Sequence, residues 1–154
     1  YNNDPANDVT YGKLYNNYII TDIRGLCPLG WHVPTDCEWM YLEGSLGMSP
    51  EDQEANGWRG TNVGGALKIT NYWQYPNIGG TNSSGFSAKP GGARIFNGSY
   101  LYLGGEGSWW AALPNKLPGI RQLDSEFSTI LRNATYVSGS NVSYRGVSVR
   151  CLKD

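Results

Sequence analysis

Apolar positions fall into few clear periods along this chain, and one segment carries most of the helical signal. Thr35 stands at an N-cap position with Glu38 three residues later, the spacing of a capping box. Trp39, Met40, Leu42 and Leu46 continue as a helical apolar stripe, and Gly47 is a suitable stop. Ser49-Pro50-Glu51-Asp52 opens a second, shorter helical turn with proline at its first position. Residues 61–68 suggest a further short helix weakened by Gly64 and Gly65. Before these, residues 1–10 read as a polar lead-in, and 11–23, rich in Tyr and Ile, as a strand or hairpin. Beyond residue 70 the helical period disappears. Phe86, Tyr100 to Leu103 and Ser108 to Trp110 read as short strands between glycine turns. At the end of the chain Val147, Val149 and Cys151 alternate with Ser148 and Arg150, as in a half-buried strand. No fixed-period repeat or linker divides the 154 residues, so 11–154 is read as one domain after a lead-in at 1–10.

Composition sharpens this into an α+β domain rich in irregular backbone. The chain holds 21 Gly, 6 Trp and 11 Tyr, and glycine pairs at 64–65, 79–80, 91–92 and 104–105 separate the aromatic segments. Such a chain anchors irregular loops with large rings that keep one polar atom. Charged residues are 16 % and the net charge is −1. There is therefore no basic excess to hold a phosphate backbone, which argues against nucleic acid. No apolar run approaches the roughly 18 residues of a membrane span, so membrane insertion is not expected. The first residues show no signal-peptide pattern, and a start at Tyr1 reads as an excised or processed segment.

Chemistry-bearing patterns are sparse. No HExxH, P-loop, Cys-x-x-Cys or EF-hand loop occurs, and no cofactor is assigned. A calcium cage built irregularly from loop carbonyls and Asn side chains leaves no sequence signature and stays open. The single histidine, His32, reads as a satisfied turn histidine rather than a general base. Cys37, in the first turn of the capped helix, is the one candidate nucleophile, with no evident third member of a triad. Three cysteines leave at least one unpaired within the chain. Either all are reduced and buried, or one disulfide forms, for which Cys27–Cys151 is preferred because each lies beside an apolar strand-like segment. The sequons at Asn82, Asn97, Asn133 and Asn141 matter only in a glycosylating host.

Residues 107–144 stand apart. Two tryptophans are followed by small, polar and aromatic residues with no structural period. Tyr, Ser, Gly and Asn supply rigid contact area and adaptable hydrogen bonds in binding loops. The candidate ligand face comprises Trp110, Ala112, Asn115, Gln122, Ser125, Phe127, Thr129, Leu131, Asn133, Thr135, Tyr136, Ser138, Ser140, Asn141, Ser143 and Tyr144. Phe127, Tyr136 and Tyr144 are its expected aromatic anchors, and Trp31, Trp39 and Trp109 the expected scaffold anchors. The bland alternative is a surface meander of hairpins.

Several segments resemble the Fibrobacter succinogenes major paralogous domain. Residues 26–36, LCPLGWHVPTD, with Glu38-Trp39, look like its LCPxGWHVPTDxEW signature. YGKLYN at 11–16, GFSAKPGG at 85–92, Ser108-Trp109-Trp110 and GVSVRCLKD at 146–154 are similar to further segments in the same order. Cys37 and Ala111-Ala112 depart from the family pattern. The resemblance implies a C-type-lectin-like fold of the formylglycine-generating-enzyme variety, with two short helices, a small antiparallel sheet and much loop. Its terminal strands would pair and bring Cys27 near Cys151. It also implies a secreted or cell-surface protein of a Bacteroidetes-type bacterium, or a phage particle. Similar domains are targets of diversity-generating retroelements, which rewrite a C-terminal segment into a variable binding face. The expected partner is then a protein or glycan on a cell or host surface, met by an adhesin, pilus tip or phage receptor-binding protein. Leu113-Pro114-Asn115 lacks the carboxylate or amide of the calcium–sugar triplet of animal C-type lectins, and the paired catalytic cysteines of the formylglycine-generating relatives are missing. The expectation is a non-enzymatic binding domain; the alternatives are a structural surface module without a variable face and an enzyme built on Cys37.

Overall fold

In a computed structural model of the chain, residues 1–134 and 145–154 are described, Asn115 by its backbone only. Local capping explains the helices. The helix α1, Pro5–Tyr11, starts where the Asp4 carboxylate accepts from the Ala6 N–H at 2.9 Å, with Pro5 at its first position. Gly12 then turns the chain at φ +77°. Asn16 repeats the device, accepting from the Tyr18 N–H at the head of a 3₁₀ turn, Asn17–Ile20. The segment read as a strand or hairpin is therefore a helix end and a turn, and only Tyr15 makes a β-bridge, to Val147. Asx caps satisfy the backbone locally, and that overrides the β preference of Tyr and Ile.

The capping box forms as expected at α2, Asp36–Ser45. The Thr35 hydroxyl accepts from the Glu38 N–H at 3.3 Å, and the Glu38 carboxylate accepts from the Thr35 N–H at 2.8 Å. A second cap by Ser49 starts α3, Pro50–Glu54. The short helix α4, Val63–Leu67, shows what its glycines are for. A Cβ on Gly64 would stand 2.0 Å from the Thr129 carbonyl oxygen, and one on Gly65 would stand 2.2 Å from that of Gly79. The helix packs directly on backbone, which no larger residue permits. The described residues thus hold four α-helices: the three that the sequence marks, where the resemblance implied two, and α1 in the segment read as a polar lead-in.

Among the described residues eight strands complete an α+β arrangement. The pair β1, Trp31–His32, and β8, Leu152–Lys153, joins an early segment to the chain's last residues. A second pair is β3, Ala93–Arg94, with β4, Tyr100–Leu101. The main sheet is antiparallel, in the order β2-β7-β6-β5: β2 is Gly57–Arg59, β5 Glu106–Ala112, β6 Pro118–Asp124 and β7 Ile130–Asn133. Phe86 lies in a loop, not a strand. The expected strand at 146–152 is instead a series of bridges, Gly146 to Arg94, Val147 to Tyr15 and Ser148 to Trp109, before β8. Ser148 is buried with Val147 because neighbours flank this segment on both sides.

Cross-strand partners share a face of a sheet, so the register sorts the main sheet into two. One face carries Trp109, Ala111, Leu123 and Ile130. They join Trp39 of α2, Val63 and Leu67 of α4, Met48, Trp73 and Ala88 in the larger core. The opposite face carries Trp110 and Ile120, which pack with Ala93, Val147, Ile19 and Ile20 in a smaller one. A buried Trp or Phe removes about 150–250 Å² from water, so each ring is worth on the order of 4–6 kcal/mol. Cys27 and Cys151 are bonded, with Cα atoms 5.7 Å apart, and Cys37 is free and exposed.

Candidate functional site

The α2-facing side of the sheet is committed to structure, and charges bind it as tightly as rings do. Glu43, on α2, is fully buried. Its Oε1 accepts from Arg121 Nε at 2.7 Å and its Oε2 from Arg59 Nη2 at 2.6 Å. Asp36 accepts from Arg121 Nη1 at 2.8 Å and from Arg132 Nη2 at 2.6 Å. Burial disfavours the charged form of Asp36, but the hydrogen bonds from Arg132 and Arg121 outweigh it and hold the pKa below the usual carboxylate value. Three arginines from β2, β6 and β7 thus clamp the sheet to α2 through two carboxylates.

The far side of the sheet is where the sequence-expected site residues gather. Trp110, Ala112, Gln122, Leu131 and Asn133 all point to this face. The register pairs Gln122 with both Ser108 and Leu131, Ile120 with both Trp110 and Asn133, and Leu131 with Trp58. The face divides along the strands. Toward β5 it is covered by the 15–20 segment and by Val147 and Val149. Toward β7 and β2, Gln122, Leu131 and Asn133 are half-buried and Trp58 is exposed.

Two of the expected contacts are therefore corrected. Trp110 is fully buried under the 15–20 segment, and its indole N–H donates to the Tyr15 carbonyl at 2.7 Å. Ser125 is buried because both its backbone groups are used: its N–H donates to Gly105 and its carbonyl accepts from Ile78. Ala112, at the end of β5, is half-buried and donates its N–H to the Pro34 carbonyl. Thr129 is half-buried beside α4. Asn115 lies in a 3₁₀ turn, Pro114–Lys116, and its side chain is outside the description. Thr135, Tyr136, Ser138, Ser140, Asn141, Ser143 and Tyr144 lie outside the described residues. Among the scaffold anchors, Trp39 and Trp109 are buried as expected, whereas Trp31 is 44 % exposed. It stands on a two-residue surface strand and lines the mouth of a pocket of about 480 Å³ shared with Leu113 and Lys116.

Phe127 is exposed as expected, and it has a partner that the sequence reading missed. Its ring packs on Trp58, centroids 5.0 Å apart and planes at 46°, with Trp58 38 % and Phe127 45 % exposed. The signal for Trp58 was available: an aromatic between Gly57 and Arg59, alternating with a charge that the sheet buries. Lys68 holds the turn that presents Phe127. It is fully buried, donates from Nζ to the carbonyls of Asp124 at 2.8 Å and Phe127 at 2.9 Å, and sits over the Trp73 ring. Burial pushes its pKa down to about 8. At the end of the undescribed segment, Arg145 pairs with buried Glu106 at 2.9 Å.

His32 has both ring nitrogens engaged, Nδ1 with Asp154 at 2.6 Å and Nε2 with Glu38 at 2.9 Å. Hydrogen bonding to Asp154 is the largest of several influences that raise its pKa, and Glu38 adds to it. In this arrangement the imidazole clips β1 to the chain end and to α2. Among the described residues no three His, Cys, Asp or Glu side chains converge as a metal site. No helix among them is long and apolar enough to cross a membrane.

An α+β scaffold that commits one sheet face to α2 and holds Gln122 and Leu131 half-buried and Trp58 exposed on the other is thus defined. The chain belongs to the family described as the Fibrobacter succinogenes major domain, whose model matches residues 1–153. A search of the curated proteins and a search of the solved structures each returned no significant match.

Proposed function

We propose that this protein is a non-enzymatic ligand-binding domain of C-type-lectin-like fold that recognises a protein or glycan on a cell or host surface. The observation that carries this reading is the division of the sheet. The α2 face spends its side chains on a core and a five-membered ionic network, while half-buried Gln122 and Leu131 and exposed Trp58 lie on the other face. The exposed Trp58–Phe127 pair adjoins them and supplies apolar anchors of the kind that dominate interfaces. Recognition on this reading rests on stacking, shape and hydrogen bonds. The composition of 135–144, small polar residues mixed with Tyr136 and Tyr144, fits a retroelement-diversified segment. Secretion, display on a bacterial surface or mounting on a phage particle follows from the family resemblance and from this role.

The test applies the labelled full chain to a printed glycan panel and to intact bacterial cells, beside a Trp58→Ala/Phe127→Ala variant. The expected result is binding by the wild type and a loss of about tenfold or more in the variant at nearly unchanged Tm. Binding that survives the double substitution, or a variant that fails to fold, would overturn the assignment of these rings to the site.

A further inference from the structure

A groove of about 680 Å³ lies on the α2 side of the sheet, away from the proposed ligand face. Its walls are Trp39, Tyr41 and Leu42 of α2, with Phe86 opposite, and Cys37 and Arg150 border it. The volume falls within the range of small-molecule sites, and the walls are aromatic and aliphatic as such sites require. Two charged groups stand at the edge, in different states. Glu38 is committed: it accepts from the Thr35 N–H and hydroxyl and faces His32. Arg150 is not. Its guanidinium lies over the Phe86 ring, 4.2 Å from the centroid, and Nη1 donates to the Phe86 carbonyl. Among the described residues no carboxylate forms an ion pair with it, and 135–144 contains no acidic residue. Glu38 keeps its charge but turns it toward Thr35 and His32, whereas the Arg150 guanidinium has no carboxylate partner among the described residues and is held in place by the ring beneath it. A guanidinium fixed in this way presents its remaining N–H groups as a fork for a carboxylate.

We propose that this groove binds an amphipathic small-molecule carboxylate, with an aromatic or branched apolar body against Trp39, Leu42 and Phe86 and the carboxylate on Arg150. The site is independent of the proposed ligand face, since neither Trp58 nor Phe127 lines it.

Cys37 provides the reporter. It is the one free thiol, is exposed, and borders the groove, so an occupant shields it from alkylation. The experiment follows the rate of iodoacetamide modification of Cys37 in the intact, oxidised chain by mass spectrometry. The probes are 4-phenylbutyrate and its neutral counterpart 4-phenylbutanamide. Protection by the carboxylate is expected at concentrations about tenfold below those the amide requires, the difference that one charge-assisted hydrogen bond makes. Arg150→Gln should abolish that preference. Tyr41→Ala, which truncates a side chain 83 % exposed, should weaken protection with Tm unchanged, which keeps the test informative if the Arg150 variant misfolds. The Trp58→Ala/Phe127→Ala variant should be protected like the wild type, which separates this site from the sheet face. No protection by 4-phenylbutyrate, equal protection by the amide, or a preference that survives Arg150→Gln would each overturn the proposal.

Discussion

Arg121 donates from Nε to the Glu43 carboxylate at 2.7 Å, although neither side chain is reached by solvent. Two charges taken out of water are tolerated only when each is matched by good geometry. Here the match is shared: Glu43 also holds Arg59, and Arg121 also holds Asp36, which holds Arg132. The consequence is a sheet whose α2 face is fixed in register, so that residues alternating with the arginines are held on the other side.

Removing one member of this network should cost far more than removing a surface charge. Glu43→Leu leaves Arg59 buried without a carboxylate and Arg121 with Asp36 alone, and the expected loss is about 3–5 kcal/mol, as for other broken buried pairs. Urea denaturation of wild type and variant measures it. A loss below about 1 kcal/mol, the scale of an exposed ion pair, would show that the network does not carry the scaffold.

His32 joins β1 to Asp154 and to α2 through carboxylates, and its titration has a definite sign. Its folded pKa lies above the ordinary 6.5 because Asp154 and Glu38 favour the imidazolium. The stabilisation is therefore complete below about pH 6.5 and is lost as pH rises through the higher folded value. The chain has a single histidine, so its NMR titration is unambiguous. The expected midpoint lies above 6.5, and His32→Gln should lower Tm more at pH 5.5 than at pH 8.5. A midpoint at or below 6.5 would contradict the carboxylate clip.

The Cys27–Cys151 bond closes a loop of 124 residues. In the chain-entropy description such a closure is worth about 4–5 kcal/mol, a large part of the roughly 5–15 kcal/mol that stabilises a domain. Cys151→Ser should lower stability by that order in urea titration. Mass spectrometry of the native chain after alkylation should show one modified thiol, Cys37; three modified thiols would refute the pairing.

The sequence is legible where the chemistry is local. Thr35 with Glu38, Ser49 with Pro50, and the weak helix at Gly64-Gly65 all depend on neighbours within four residues. The sequence is not legible where a local cap competes with propensity, as at Asp4 and Asn16, or where burial depends on a distant segment. Trp110 is such a case: its two neighbours in sequence say nothing of Tyr15, ninety-five positions away, which roofs it. Nothing local marks Arg59, Arg121 and Arg132 for burial; only the register of β2, β6 and β7 turns all three toward α2. Trp58 escaped notice for the same reason, because its partners Leu131 and Phe127 are brought to it only by the sheet.

The claim that one sheet face is scaffold and the other a recognition surface is tested most directly by sequencing this gene across many copies in its source population. The account predicts substitutions concentrated at Gln122, Phe127, Leu131, Asn133 and residues 135–144, with 26–39, 146–154 and the buried Asp36, Glu43, Arg59 and Arg121 unchanged. Substitutions spread evenly along the chain, or concentrated on the α2 side, would contradict it.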